Sequence, residues 1–168
     1  MPPSFIESCK KKLNNKTKID FHNDSWCSEL PKSNGIYLFW ADFSNWKKDL
    51  SDFSDKWGNA KKAISFYPNF NKRRASKHIV SEQKILPFYL GKAEKSIQSR
   101  VRQHVFIEGK KTTYALKLNA ICECQKSFKE IPFYISQLPL PFSHKSYFLL
   151  NIIEAKLRDE YNPIIGKQ

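Results

Sequence analysis

The sequence predicts an α/β (α+β) domain: a small three-stranded antiparallel sheet flanked by helices. Two kinds of pattern carry that expectation. Short apolar, aromatic-rich runs over 36–41, 88–90 and 131–138 have strand composition. Between and after them, apolar residues recur at helical spacing, as in Ile97, Val101 and Val105. A length of 168 residues suits one domain, 1–168, long enough to bury a core.

In chain order, residues 1–32 read as a polar, Lys/Asn-rich N-terminal arm with Phe21 and Trp26 as docking anchors. A turn signal over 30–35, Leu-Pro-Lys-Ser-Asn-Gly, opens the first strand. That strand is apolar at nearly every position, as expected when both faces are covered. An insertion over 42–85 follows, in which Trp46, Leu50, Phe53 and Trp57 mark the seam of an amphipathic helix that packs on the domain. Past an aromatic cluster (Phe66, Tyr67, Phe70) comes a dense basic loop, 71–78, with Lys72, Arg73, Arg74 and Lys77. Its composition suits phosphate contacts and base stacking, and equally a solvated surface.

The second strand, Phe88-Tyr89-Leu90, stops at Gly91 and is followed by Lys92. Ser96 can cap the next helix, on which Arg100 and His104, four residues apart, share a face while Arg102 points elsewhere. Lys110 and Lys111 add charge, and Thr112 or Thr113 can cap a short helix carrying Tyr114, Leu118 and Ile121. The third strand ends at Pro139 and Pro141, and Ser143 can cap a final helix reaching about Tyr161. Glu154 lies in the apolar stripe of that helix, with Leu150, Leu157 and Tyr161. A lone buried carboxylate costs several kcal/mol, so Glu154 needs a cation. Arg158 is one candidate and a magnesium ion the other, since Mg²⁺ often takes only one or two protein carboxylates.

Composition narrows the function classes. A formal charge of +13 favours a polyanionic partner. No apolar run reaches membrane-spanning length, and no basic helix has a continuous greasy face, so no membrane role is expected. The four cysteines (Cys9, Cys27, Cys122, Cys124) form no C-x-x-C pair, which argues against structural zinc and for a reducing cytoplasm. Nothing near Met1–Lys12 has the apolar core of an export signal.

Gly35-Ile36-Tyr37 and Tyr89-Leu90-Gly91, followed by Arg100, His104 and then Glu154 nine residues before Pro163, resemble the ordered signature of the GIY-YIG nuclease family. The resemblance covers roughly residues 33–41 and 86–166 and is closest to the family's small stand-alone restriction endonucleases. It implies a divalent-metal-dependent endonuclease with one Mg²⁺ (or Mn²⁺) ion per active site, held by Glu154. Arg100 would stabilise transition-state charge, and Tyr37 or Tyr89 would align or deprotonate the attacking water. A tyrosine base needs a nearby cation, for which Lys92 is the candidate. His104 would hold the phosphate or the tyrosine. Asn162 is the weaker match to the family's closing asparagine, because relatives place it after the proline, where this chain has Gly166. The loop before Arg100 is one residue longer than in common members. With no room for a separate DNA-binding domain, recognition of duplex DNA falls to 42–85 and the N-terminal arm, with Lys72, Arg73, Arg74, Lys77, Arg102, Lys110 and Lys111 as candidate contacts. Such enzymes often act as homodimers, an arrangement open to this chain. The competing readings are a nucleic-acid-binding module without catalysis, a structure-specific or RNA nuclease, and a basic adaptor for acidic proteins or lipid headgroups.

Overall fold

A computed structural model describes residues 3–46, 49–78 and 84–166. Residues 47–48 and 79–83 of the insertion, the first two of the N-terminal arm and 167–168 lie outside the described residues. The elements in order are α1 (Pro3–Leu13), β1 (Thr17–Lys18), α2 (Ser25–Ser28), β2 (Gly35–Asp42), α3 (Leu50–Asn59) and α4 (Lys72–Ala75). They continue with β3 (Ile85–Ala93), α5 (Ile97–Phe106), α6 (Leu118–Cys124), β4 (Phe133–Pro139) and α7 (Phe148–Tyr161).

The sheet has four strands rather than the expected three, in the order β1-β4-β2-β3, with every neighbouring pair antiparallel. The added strand, Thr17–Lys18, comes from the N-terminal arm and is exposed at both residues, so it carries no apolar pattern to announce it. The arm is built into the fold. Cys9 and Leu13 of α1 are buried, and Tyr161 Oη at the end of α7 donates to the Lys10 carbonyl (3.1 Å). Phe21 meets Phe133 edge-on and Trp26 lies against Phe106, as docking anchors should.

β2 is the central strand, and its alternation explains its unbroken apolar sequence. Ile36, Leu38 and Trp40 join Leu150, Ile153 and Leu157 of α7 and Leu13 of α1 in one core. Tyr37, Phe39 and Ala41 join a second core with Phe53 and Trp57 of α3, Val101 of α5 and Ile121 of α6. The helical stripe of the insertion therefore packs on the domain, though Trp46 precedes α3 and meets Phe53 and Phe128 from outside it.

Two glycines are dictated by close approach. A Cβ on Gly35 would lie 2.3 Å from the Leu138 carbonyl oxygen, and one on Gly91 would lie 2.5 Å from the Tyr37 hydroxyl. Gly91 is the cross-strand partner of Tyr37, so the tyrosine ring crosses the space its missing side chain leaves.

Other local expectations change. Ser96 does cap α5, accepting from the Ser99 amide (3.1 Å). Neither Thr112 nor Thr113 caps α6; Lys117 precedes it in left-handed conformation (φ 57°). Ser143 precedes a short 3₁₀ turn, and α7 begins only at Phe148. The buried stripe of α7 is Leu150, Ile153, Leu157 and Tyr161, which leaves Glu154 at its edge with 15% of its side chain exposed.

Candidate active site

β3 is an edge strand of the sheet. Amides of Ile164 and Ile165 donate to the carbonyls of Pro87 and Phe88, covering the first part of that edge. Beyond this cover a cleft of about 540 Å³ opens. From β3 it is lined by Tyr89, Gly91 and Lys92, from β2 by Tyr37 and from α5 by Arg100. α7, on the opposite face of the sheet, contributes Asn151, Glu154 and Arg158. Tyr37, Tyr89, Lys92, Arg100 and Glu154 thus share one cleft.

The interior of the cleft is set by a histidine that never reaches its surface. His104 is fully buried, with its ring 5.4 Å from that of Tyr37 and 5.0 Å from that of Tyr89. Its Nδ1 accepts from the Leu116 amide (2.9 Å), and an amide can only donate. Burial holds the ring well below the usual histidine range, so it is neutral and its single proton sits on Nε2. Nε2–H therefore donates to Tyr37 Oη (2.8 Å). Of the two roles open to it, His104 holds the tyrosine and has no surface with which to hold a phosphate.

Both tyrosines stay protonated at neutral pH. Burial pushes Tyr37 well above the ordinary phenol value and Tyr89 up to about 12. The cation that chiefly opposes this at both hydroxyls is Arg100. Lys92 is paired instead with Glu94 (2.5 Å), which corrects the expectation that it tunes the tyrosines. Arg100 is itself oriented by Gln103 Oε1 (2.8 Å) and by the Tyr114 carbonyl (2.8 Å). Glu154 Oε1 accepts from Arg158 one turn along α7, so the arginine considered as its cation is in place.

A hard divalent ion fits this donor set. Glu154 and, one turn before it, the Asn151 amide offer oxygen ligands on one wall of the cleft. Among the described residues no cluster of three or more His, Cys, Asp or Glu exists, so water and phosphate would complete the shell. Asn151, Tyr114 and Gly166 line the cleft although no sequence pattern singled them out as site residues. Asn151 could have been found as the amide one helical turn before Glu154.

Other candidates lie elsewhere. Asn162 does not line the cleft; it ends α7 in left-handed conformation (φ 50°), its side-chain amide on the Asp159 carbonyl (3.0 Å). Arg74 is 7% exposed, bonded to the Arg158 carbonyl and to Asp159 (3.0 Å), so it pins the insertion to α7 and is withdrawn from DNA contact. Lys72, Arg73 and Lys77 are exposed, on a short helix and 3₁₀ turn rather than a loop. The residues just before that segment adjoin the cleft: the Gly166 amide donates to the Asn69 carbonyl (2.9 Å). Lys110 and Lys111 are exposed. Arg102 pairs with Asp24 (2.5 Å) and lies over Phe106, away from the cleft. No described helix is long and apolar enough to cross a membrane.

The neutral His104 has a measurable consequence. Its folded pKa is depressed, so below about pH 6.5 the unfolded chain binds a proton that the folded chain does not. Stability should therefore fall as pH drops from 7 to 5, by up to about 1.4 kcal/mol per pH unit for this group. His104→Asn, which keeps an acceptor for the Leu116 amide, should flatten that fall in urea midpoints; parallel curves for the two proteins would contradict a neutral buried ring. Against family models, curated proteins and solved structures alike, the chain finds no match.

Proposed function

We propose that the protein is a divalent-metal-dependent endonuclease that hydrolyses phosphodiester bonds in DNA, site-specifically in the manner of a restriction enzyme. The observation that carries the reading is one cleft, on a chain of net charge +13, lined by an arginine, a buried and a partly buried phenol and a carboxylate. These groups would serve three parts of phosphate-ester hydrolysis: a cation for the phosphate, donors to align water and a carboxylate to hold a metal. The competing readings, an inactive binding module first among them, are outcomes of the tests.

Arg100, braced by Gln103 and the Tyr114 carbonyl, presents its remaining N–H groups to the scissile phosphate and stabilises the charge that builds there. Tyr37 accepts from His104, which leaves its own proton to be directed into the cleft. With both phenols protonated, the tyrosines align water by hydrogen bonding rather than by abstracting a proton. Glu154, with Asn151 beside it, would hold Mg²⁺ or Mn²⁺. When bound, the ion supplies Lewis-acid stabilisation of the phosphate and leaving oxygen.

The direct test is incubation of purified protein with plasmid DNA and Mg²⁺, followed by sequencing of the ends. Discrete fragments support site specificity and a smear supports a nonspecific nuclease. Intact plasmid, with DNA still bound, leaves the binding module.

Recognition by the insertion is separable. Replacing Lys72, Arg73 and Lys77 with alanine should flatten the slope of log affinity against log salt by about 0.9 for each phosphate left without its cation. If single Arg73→Ala weakens binding only to the preferred sequence, the segment reads bases, at about 1–3 kcal/mol for a bidentate arginine. An unchanged slope and cleavage pattern in the triple variant would remove this segment from the interface.

A further inference from the structure

Five large hydrophobic residues are exposed among the described residues, and two of them, Phe66 (57%) and Tyr114 (48%), stand on adjoining segments beside the cleft. The Ala115 amide donates to the Phe66 carbonyl (3.2 Å), and Tyr114 lines the cleft. Phe66 has a left-handed backbone (φ 52°), a costly conformation for a bulky side chain. Core packing gives no reason for it, because its ring faces solvent while its neighbours Tyr67 and Ile64 are buried. The expected aromatic cluster resolves accordingly. Tyr67 and the half-buried Phe70 serve the core, and Phe66 alone is presented outward.

That presentation is held rigidly. Lys117, fully buried, donates from Nζ to the Ser65 carbonyl, to that of Gly109 (3.1 Å) and to that of Lys111 (2.5 Å). The Ser65 amide donates in turn to the Gly109 carbonyl (3.0 Å). A buried cation thus staples the 65–66 segment to the 109–117 loop, with one exposed ring on each. Lys110 and Lys111 are exposed on the 109–117 loop, and Lys61 and Lys62 on the 3₁₀ turn shortly before Phe66. Exposed rings among cations, one of the rings lining the cleft, are the elements of a single-strand binding track, in which bases stack while the backbone follows positive charge.

We propose that Phe66 and Tyr114 form a stacking platform for bases of the DNA strand whose phosphate occupies the cleft. The substrate strand then carries unstacked bases beside the scissile bond, in a recognition site whose base is extruded from the duplex or in a single strand, a flap or a bulge. Fully paired duplex is admitted only where a base is extruded. The inference rests on the reading of the cleft as a DNA-phosphate site and adds the form of DNA it takes.

The test is binding without metal, in EDTA, of an oligothymidine single strand carrying one 2-aminopurine, beside a duplex of the same strand. Tyr114→Ala and Phe66→Asn, the latter chosen because asparagine tolerates the left-handed backbone, should each weaken single-strand binding by about five- to a hundredfold. Duplex affinity should change less than twofold. Quenching of the 2-aminopurine by the wild type should be relieved in both variants, and Tyr114→Phe should behave as wild type. Cleavage in Mg²⁺ of plasmid and of the same single strand, run in parallel, separates the two readings. Cleavage by the wild type with undiminished single-strand affinity in both ring variants overturns the platform alone. Ring-dependent binding without cleavage in Mg²⁺ or Mn²⁺ supports the platform and overturns the nuclease. Absence of both binding and cleavage by the wild type overturns both.

Discussion

Glu154→Gln should abolish cleavage while leaving DNA binding intact or tighter. The side chain is partly buried at the edge of the α7 stripe, so an isosteric amide fits without a cavity. It removes the charge that would hold a divalent ion, and with it a stabilisation worth several kcal/mol in the barrier. A loss of at least about 10³-fold in rate, or about 4 kcal/mol, is expected. Two effects favour binding in the variant. The carboxylate no longer repels phosphate, and Arg158, freed from its ion pair, can turn to the DNA backbone. Single-turnover cleavage at saturating DNA, beside affinity measured in EDTA, separates the two quantities. Cleavage at the wild-type rate in Mg²⁺ would end the metal role of Glu154, and a loss of binding would make it a positioning group for Arg158.

What the sequence makes legible depends on whether the cause is local. Ser96, Ile97 and Val101 predict α5 because a cap and a stripe are properties of adjacent turns. Tyr37 and Gly91 are legible as strand markers, and the structure supplies their reason, one ring lying over the other residue's missing side chain. The gathering of Tyr37, Tyr89, Arg100 and Glu154 in one cleft is expected from the resemblance of their ordered motifs to a nuclease family, since spacing on separate elements does not by itself bring them together.

Illegible features are those fixed by partners far along the chain. Arg74 reads as one more cation in a basic run, and only Asp159 and the Arg158 carbonyl draw it inside. Lys117 has the composition of a surface residue, yet carbonyls from two other stretches make it a buried hub. Lys92 is the exception: its partner, Glu94, is only two residues on and engages it in place of a tyrosine. The same distinction explains why Phe66, on a segment read only as composition, emerges as an exposed ring in a left-handed backbone.

Arg100→Ala should lower the turnover rate by about 10²–10³-fold, the range for loss of one transition-state donor, or about 3–4 kcal/mol. The guanidinium is braced on two sides, by Gln103 of its own helix and by the Tyr114 carbonyl of the following loop. Its plane is therefore fixed before substrate arrives, which is the condition under which a charge acts on a transition state without reorganising. Arg100→Lys should recover little, because an ammonium cannot meet both braces and still offer a fork to phosphate. Gln103→Ala, which removes one brace and leaves the charge, should cost less than Arg100→Ala and act on turnover more than on affinity. Ground-state binding should suffer only modestly in Arg100→Ala, since one phosphate contact among many changes the salt slope by about 0.9. A variant that loses affinity and turnover in equal proportion at subsaturating DNA, yet keeps the wild-type rate at saturation, would make Arg100 a binding residue alone. A wild-type rate in Arg100→Lys would show that charge without fork geometry suffices, and the brace by Gln103 and Tyr114 would then have no catalytic meaning.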